Sequence, residues 1–349
     1  MKRTQIAIPS LVRIKPGALD RIGLYAQRHA FHDVTVLHSA DLKSELLQRL
    51  KEGLSKEGIR VLDCWPVQDA SFEQARELFP RIPARARAVI GCGGGKALDV
   101  AKYVAFLNRL PCMAVPTSLS NDGFCSPQSS LTLEGRRKSL PSAMPFGVVV
   151  DTEVCLAAPK ILWLSGVGDL VSKLTAVTDW KLAFHAQGSP VDDFAALLSD
   201  ATVFQFIARP RRDLEGIRLL ATALMLNGVA MEVCGSSRPA SGSEHLISHA
   251  LDALGGSPRL HGLQVGVATY LVSLLQERNA DTIASLFAET GFWAAIAEDP
   301  FRRADWLEAV RRAPSIKQDY YTVLASRDCL PEVEEFLRSD PHLQGCFTD

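Results

Sequence analysis

The stretch AVIGCGGGK at residues 88–96, followed by the helical pattern of 97–108, decides how this chain is read. An apolar run that ends in consecutive glycines and gives way at once to a helix is a strand–turn–helix unit. Such a turn lets a pyrophosphate approach backbone N–H groups at the helix N-terminus. Gly93, Gly94 and Gly95 allow the approach, and Lys96 follows directly. The spacing is neither GxGxxG nor GxxxxGK[ST], so the segment taken alone also fits a tight turn that uses glycine for its positive φ. Asp99 and Lys102 on the helix read equally well as surface charges.

Outward from this unit the same rhythm repeats. Helical patterns at 19–30, 41–57, 71–79 and 97–108 alternate with short apolar runs at 33–38, 59–64, 87–90 and 111–115. Runs that are apolar on both faces imply a parallel sheet covered by helices on both sides. Residues 127–151 break the rhythm, with a hairpin around Glu134 and Gly135 and a last strand at 146–150 that closes the sheet domain. After Pro159 the apolar spacing turns helical, at 169–184, 194–207, 213–233, 243–254 and 264–275. The expected architecture is an α/β nucleotide-binding domain with a parallel sheet at 1–156 and an all-α domain at 157–349. A ligand cleft is expected where the two meet.

Composition excludes several classes of function. The chain has 349 residues, 47% of them hydrophobic and 22% charged, with a formal net charge of −1. This is a globular balance with no global attraction to phosphate backbones or anionic lipid, so neither nucleic acid nor a membrane is expected as a partner. No apolar run of 18 residues stands out, and Pro9 interrupts the first apolar stretch, so a cytoplasmic protein is expected. The eight cysteines are scattered without a CxxC pair and read as reduced thiols.

Two further segments carry chemistry. PTSLSNDGFCSP at 116–127 continues from a strand end, where doubly wound sheets bind ligands. Thr117, Ser118 and Ser120 are suited to hydrogen-bond phosphate or nicotinamide groups, and Asp122 is an acceptor for substrate hydroxyls or simply part of a turn. In SEHLISHA at 243–250, His245 and His249 are four apart and share a helix face, and a Gly-Gly-Ser-Pro turn at 255–258 folds His261 back towards them. Any one of these histidines also fits a structural role. A carboxylate would complete three protein ligands, and Asp169 in SGVGDLVSK at 165–173 is the candidate. Its glycines permit close approach, and it is expected in the first turn of a helix, where a macrodipole role is the alternative.

Taken together, GCGGGK with Asp99, PTSLSNDG with Ser126, GVGDLVSK, SEHLISHALD and LHG resemble the iron-containing alcohol dehydrogenase superfamily, and within it the glycerol-1-phosphate dehydrogenase family. The resemblance implies a dehydroquinate synthase-like fold and a catalytic divalent metal. The ligands it implies are Asp169, His245 and His261, and it puts Asp122 and His249 on substrate. Around the dinucleotide, NAD or NADP, it places Gly95, Lys96, Ala97, Leu98, Asp99, Thr117, Ser118, Leu119, Ser120 and Ser126. The implied reaction is reversible hydride transfer between NAD(P)H and dihydroxyacetone phosphate, giving sn-glycerol 1-phosphate. The metal is expected to be zinc, with iron or nickel as alternatives, and a homo-oligomer acting on a small phosphorylated polyol or ketone is expected.

Three positions depart from the family's pattern or leave it open. Gly262 is followed by Leu263 and Gln264 where an acid is frequent, removing a carboxylate that could orient His261. Ser39 stands where an acid would bind the adenosine ribose and repel a 2′-phosphate. Arg238 or Lys173 could meet a substrate phosphate, or each could be structural. The competing expectations are a dehydrogenase for another polyol or keto-phosphate, a sugar-phosphate cyclase resembling dehydroquinate synthase, and a non-catalytic nucleotide binder.

Overall fold

The computed structural model describes residues 6–255 and 259–349. Contacts divide the chain into two compact units, Met1–Pro159 with Arg212–Glu232, and Lys160–Arg211 with Val233–Asp349. The expected boundary after residue 156 misses one feature. The segment 212–232 lies inside the helical half of the sequence but packs with the first unit. Helical periodicity tells that a helix has a buried face, not which core receives it.

In the first unit the strands are β1 (Leu11–Lys15), β2 (Asp33–Ser39), β3 (Arg60–Val67), β4 (Ala88–Gly93), β5 (Cys112–Pro116), β6 (Gln128–Leu133), β7 (Arg136–Pro141) and β8 (Gly147–Asp151). The helices are α1 (Ile22–Arg28), α2 (Ser44–Lys56), α3 (Phe72–Leu78), α4 (Gly95–Leu107) and α5 (Thr152–Ala157). Six strands form one parallel sheet in the order β1-β8-β5-β4-β2-β3, and β6 pairs with β7 in a separate antiparallel hairpin.

Alternation explains the apolar runs. Val34, Val36, Ala88, Ile90 and Cys92 enter one core with Ile22, Leu50 and Leu54, whereas Leu37, Val89 and Cys112 enter a second core with Ala97, Val100 and Val104. No apolar run announces β1, because LVRIK carries Arg13 and Lys15 and buries only Leu11. It forms through backbone pairing, with Val12 opposite Val148 of β8.

The sheet order sets where a ligand can sit. From β2 the chain passes through α2 to β3 on one side, and from β4 through α4 to β5 on the other. The reversal lies between β2 and β4, which end at Ser39 and Gly93. In open α/β sheets, ligands bind outside the strand ends at such a reversal.

The second unit is built from α6 (Lys160–Val171), α7 (Lys173–Gln187), α8 (Asp193–Ile207), the last residues of α9 (Leu214–Cys234), α10 (Ser243–Leu254), α11 (His261–Leu275) and five later helices. Its one departure from all-helical structure among the described residues is a two-residue parallel pair, Phe301–Arg302 with Phe347–Thr348. The helix expected at 169–184 is two helices, and Asp169 lies third from the end of α6 rather than in a first turn. Apolar spacing runs through the junction at Ser172, so it hides the break. Of the turn expected at 255–258, Gly255 ends α10 in the left-handed conformation, and 256–258 lie outside the described residues.

Two helical stretches, Lys160–Gln187 and Leu214–Cys234, are long and apolar enough to cross a membrane. Their most apolar windows are 83% and 67% buried within the protein, which is how core helices behave.

Candidate active site

At the reversal in the first unit the glycine loop is shaped by one contact. Gly93 has φ +141°, and a Cβ on it would lie 2.1 Å from Ser39 Oγ. The next residue, Gly94, donates its N–H to that same Oγ at 3.0 Å. Glycine at 93 is therefore required both by backbone conformation and by the close passage of β2. The first intrahelical bond of α4 is Leu98 N–H to Gly94 O, so the N–H groups of Gly95, Lys96 and Ala97 lie at the helix start, where an anion is favoured.

The predicted nucleotide residues divide by exposure. Gly94 and Gly95 are half-buried and Lys96 is exposed, whereas Gly93, Ala97, Leu98 and Asp99 are buried. Thr117, Ser118 and Ser120 are half-buried and accessible; Leu119 is buried, and the Thr117 N–H donates to Gly93 O at 3.0 Å. Asp122 begins a short 3-10 turn capped by Asn121, whose Oδ1 accepts from Gly123 N.

Asp99 and Lys102 are not surface charges. Lys102 is fully buried, 3.3 Å from Asp99 Oδ1, and donates to Gly123 O at 2.6 Å, Ser126 Oγ at 3.1 Å and Gln128 O at 2.5 Å. Burial pushes the Asp99 carboxyl up, opposed by the Lys102 ammonium. A buried ammonium with carbonyl, hydroxyl and carboxylate partners pins the 123–128 segment onto α4. This role of Lys102 is missing from the sequence reading, because i,i+3 charge pairs on helices are usually solvent-exposed.

In the second unit Asp169, His245 and His261 come together, with one ligand atom from each lying within 4.8 Å of the others. The helices meet through glycines: a Cβ on Gly168 would fall 2.1 Å from Gly262 O, and one on Gly262 would fall 1.8 Å from Ser165 O. Backbone contact between α6 and α11 is what brings Asp169 to the start of α11, where His261 stands.

The donor atoms are oriented from behind. His245 Nδ1 is 2.8 Å from Glu244 Oε1, which leaves Nε2 on the side of Asp169 Oδ1 at 3.5 Å. Glu244 is itself held by the Gly242 N–H at 2.6 Å and the Thr175 hydroxyl at 2.9 Å. His261 Nδ1 is 3.2 Å from Ser248 Oγ, and Ser248 donates to Gln264 Oε1 at 2.8 Å. With its hydroxyl proton committed to Gln264, Ser248 accepts from His261 Nδ1–H, which makes Nε2 the unprotonated ring nitrogen. Gln264, the residue that departs from the family's frequent acid, thus sets the tautomer through a neutral relay.

Charge suits a cation. Burial opposes ionisation of Asp169, yet the Lys173 ammonium at 3.5 Å and a hydrogen bond with His245 hold its carboxyl well below the ordinary carboxylate range. His245 is raised, because Asp169 and Glu244 outweigh its burial. Two ligands each about 2.1 Å from one tetrahedral ion stand about 3.4 Å apart, close to the Asp169–His245 separation. A buried carboxylate with two imidazoles near enough for one donor atom of each to meet a single ion fits a divalent metal, and the donor set is that of zinc or a similar ion.

His249 is adjacent but outside this group, its ring 6.0 Å from His261 and 6.3 Å from His245. Lys173 is buried against Asp169, and Arg238 is buried, stacks 3.7 Å over Tyr320 and donates to Tyr321 O. Glu244 and Ser248 are legible in the sequence only as helical neighbours of His245, at i−1 and i+3, whereas Gln264 stands out as a departure from the family's pattern without showing its neutral relay to His261.

Comparison with known proteins gives the family. An iron-containing alcohol dehydrogenase family model matches residues 13–159. The fold is that of a glycerol dehydrogenase from Schizosaccharomyces pombe, with TM-score 0.76, 19% identity, and 97% of this chain and 92% of that one covered. It is also that of a sulfoacetaldehyde reductase from Bifidobacterium kashiwanohense solved with NAD+, with TM-score 0.70, 18% identity, and 96% and 99% covered. The family model and these structures agree on the architecture of the iron-containing alcohol dehydrogenases.

Similarity over nearly the whole length narrows the class. A glycerol-1-phosphate dehydrogenase [NAD(P)+] from Aeropyrum pernix is 35% identical, covering 95% of this chain and 96% of the relative. One from Methanothermobacter thermautotrophicus is 33% identical, covering 97% and 98%. The chain belongs to the glycerol-1-phosphate dehydrogenase family within the iron-containing alcohol dehydrogenases.

Proposed function

We propose that this protein interconverts dihydroxyacetone phosphate and sn-glycerol 1-phosphate by hydride transfer with NADH or NADPH, using one divalent metal, zinc first among the candidates. The observation that carries the metal-dependent reading is the convergence of Asp169, His245 and His261, each imidazole oriented from its far side. The substrate is supported by relatives that carry that activity in their names.

In this reading the first unit holds the nucleotide, with its pyrophosphate at the Gly93–Gly95 turn and the start of α4, and with Thr117, Ser118 and Ser120 as further donors. Gly93 and Gly94 shape the turn, while Lys96 adds charge. Ala97 and Leu98 contribute through the backbone. Asp99, Leu119 and Ser126 act by holding the surrounding segment. Ser39 presents no negative charge to a 2′-phosphate, which is compatible with both cofactors.

The second unit holds the metal through Asp169, His245 and His261. When bound, the ion supplies Lewis acidity to the carbonyl oxygen, stabilising negative charge that develops as hydride arrives. Asp169 provides the negative charge that retains it, and Glu244 and Ser248 keep the two imidazoles in the tautomer that leaves Nε2 available. His249, one helical turn from His245, orients a substrate hydroxyl or passes its proton, and Asp122 accepts from a substrate hydroxyl. We place the enzyme in the cytoplasm as a homo-oligomer, with no nucleic acid or membrane partner.

The test is nicotinamide absorbance in the purified protein, with dihydroxyacetone phosphate against a panel of keto-phosphates and polyol phosphates, using both cofactors. Oxidation of NAD(P)H with dihydroxyacetone phosphate, abolished by chelator and restored by a divalent ion, is expected. Oxidation with another keto-phosphate alone would overturn the substrate. Phosphate release with no net change in nicotinamide would replace the reading with a cyclase.

A further inference from the structure

Helix α8 has two apolar faces, and among the described residues only one of them is buried. Ala195, Ala196, Ser199, Thr202, Val203 and Phe206 are buried. On the opposite side Phe194, Leu197 and Phe204 are 61%, 65% and 52% exposed, and Ala201 and Ala208 are exposed between and beyond them. The positions 194, 197, 201, 204 and 208 follow one another at steps of three, four, three and four. This is the a/d repeat of a helix–helix seam, and it is laid out on a solvent face.

We propose that this face of α8 pairs with the same face of a second copy, antiparallel, about a twofold axis at Ala201. Self-complementarity argues for a second copy over any other occupant. In such a pair residue 201+k meets residue 201−k. Phe194 then faces the second copy's Ala208, Ala201 faces its own symmetry mate, and Leu197 meets the region of Phe204. Phe194 against Ala208 sets a large side chain against a small one, Ala201 at the axis lets the helices approach, and Leu197 with Phe204 forms an apolar layer on either side of it. The charges obey the same register. Asp193 opens α8 and Arg209 follows its end, both exposed, and the same symmetry sets Asp193 opposite the second copy's Arg209. A closed twofold pair demands such self-matching, whereas an unrelated partner or a lipid surface would not.

The seam spans residues 194–208, about 21 Å of helix at ~1.5 Å per residue. Every residue in it belongs to the second unit, so the inference goes beyond the proposed reaction and does not depend on it.

Two measurements on the full-length protein test it. Sedimentation equilibrium over a concentration series should show self-association in the wild type, weakened more than about 100-fold in the Leu197→Glu, Phe204→Glu double variant, which places charge at two apolar contacts per copy. Circular dichroism of that variant checks that it is folded. Independently, Ala201→Cys should form an intermolecular disulfide under mild oxidation, seen as a doubled mass on a non-reducing gel, with the wild type and a cysteine placed at Gln205 as controls. A wild type that stays monomeric, an oligomer unchanged by the double variant, or cross-linking no better at 201 than at 205 would each overturn the proposal. A monomer that instead sediments with anionic phospholipid vesicles would overturn it in favour of a membrane surface.

Discussion

The glycine loop of the first unit and the Asp169–His245–His261 cluster of the second, the proposed metal site, solve opposite problems. The loop presents backbone N–H groups, so its decisive residue, Gly93, contributes by having no side chain where Ser39 passes. The cluster presents side chains, so its decisive residues depend on what stands behind them: Glu244 behind His245, and Ser248 with Gln264 behind His261. A region built from backbone is damaged by adding atoms or freeing a segment, and a region built from side chains is damaged by removing a donor or its support.

The largest expected effect lies in the cluster. Asp169→Ala or His245→Ala should lower kcat/KM by about 10³-fold or more, since under the proposed ligation each removes one of three ligands and with it the charge stabilisation a bound metal would supply. Metal content measured on the same preparations should fall together with the rate. Retained metal with lost activity would separate the residue from ligation.

Lys102→Met carries the comparison into the first unit. It strands the Asp99 carboxyl and three oxygen acceptors in the interior, and should cost about 3 kcal/mol in denaturant unfolding. Nucleotide KM should rise with the loosening of 123–128, and metal content should stay unchanged. A drop in metal content would mean that the two regions are not independent in this way.

Ser248→Ala keeps all three ligands and removes only the orientation of His261. Metal affinity in chelator competition should fall about 10- to 100-fold. An unchanged affinity would show that the tautomer of His261 needs no support from Ser248.

The smallest effect is a pH dependence. Burial and the neighbouring Glu244 carboxylate push the Asp179 carboxyl up to about 6. The folded state therefore binds this proton more tightly than the unfolded chain, and its contribution to stability grows as pH falls through that value. Relative to Asp179→Asn, the wild type should gain about 1 kcal/mol between pH 7 and pH 5 in unfolding experiments. A difference independent of pH would mean that Asp179 titrates at an ordinary value.

Much of this was legible in the sequence because the signals are local. AVIGCGGGK and the alternating runs declare the sheet, and the glycine and histidine motifs mark both regions. What escaped depends on distant partners. Strand β1 exists through pairing with β8 and not through its own pattern. The segment 212–232 reads as helix in sequence and joins the first unit only by contact. The sequence pattern puts Asp169 in the first turn of a helix, whereas it lies near the end of α6, because apolar spacing continues past Ser172. Lys102 resembled a surface charge until its carbonyl partners, more than twenty residues away, were in place.

The most direct test of the central claim is anomalous diffraction from crystals of the protein grown with zinc. The expected result is a single peak per chain lying about 2.1 Å from Asp169 Oδ1 and from Nε2 of both His245 and His261, and absent in His261→Ala. A peak elsewhere, or one that survives loss of His261, would contradict it.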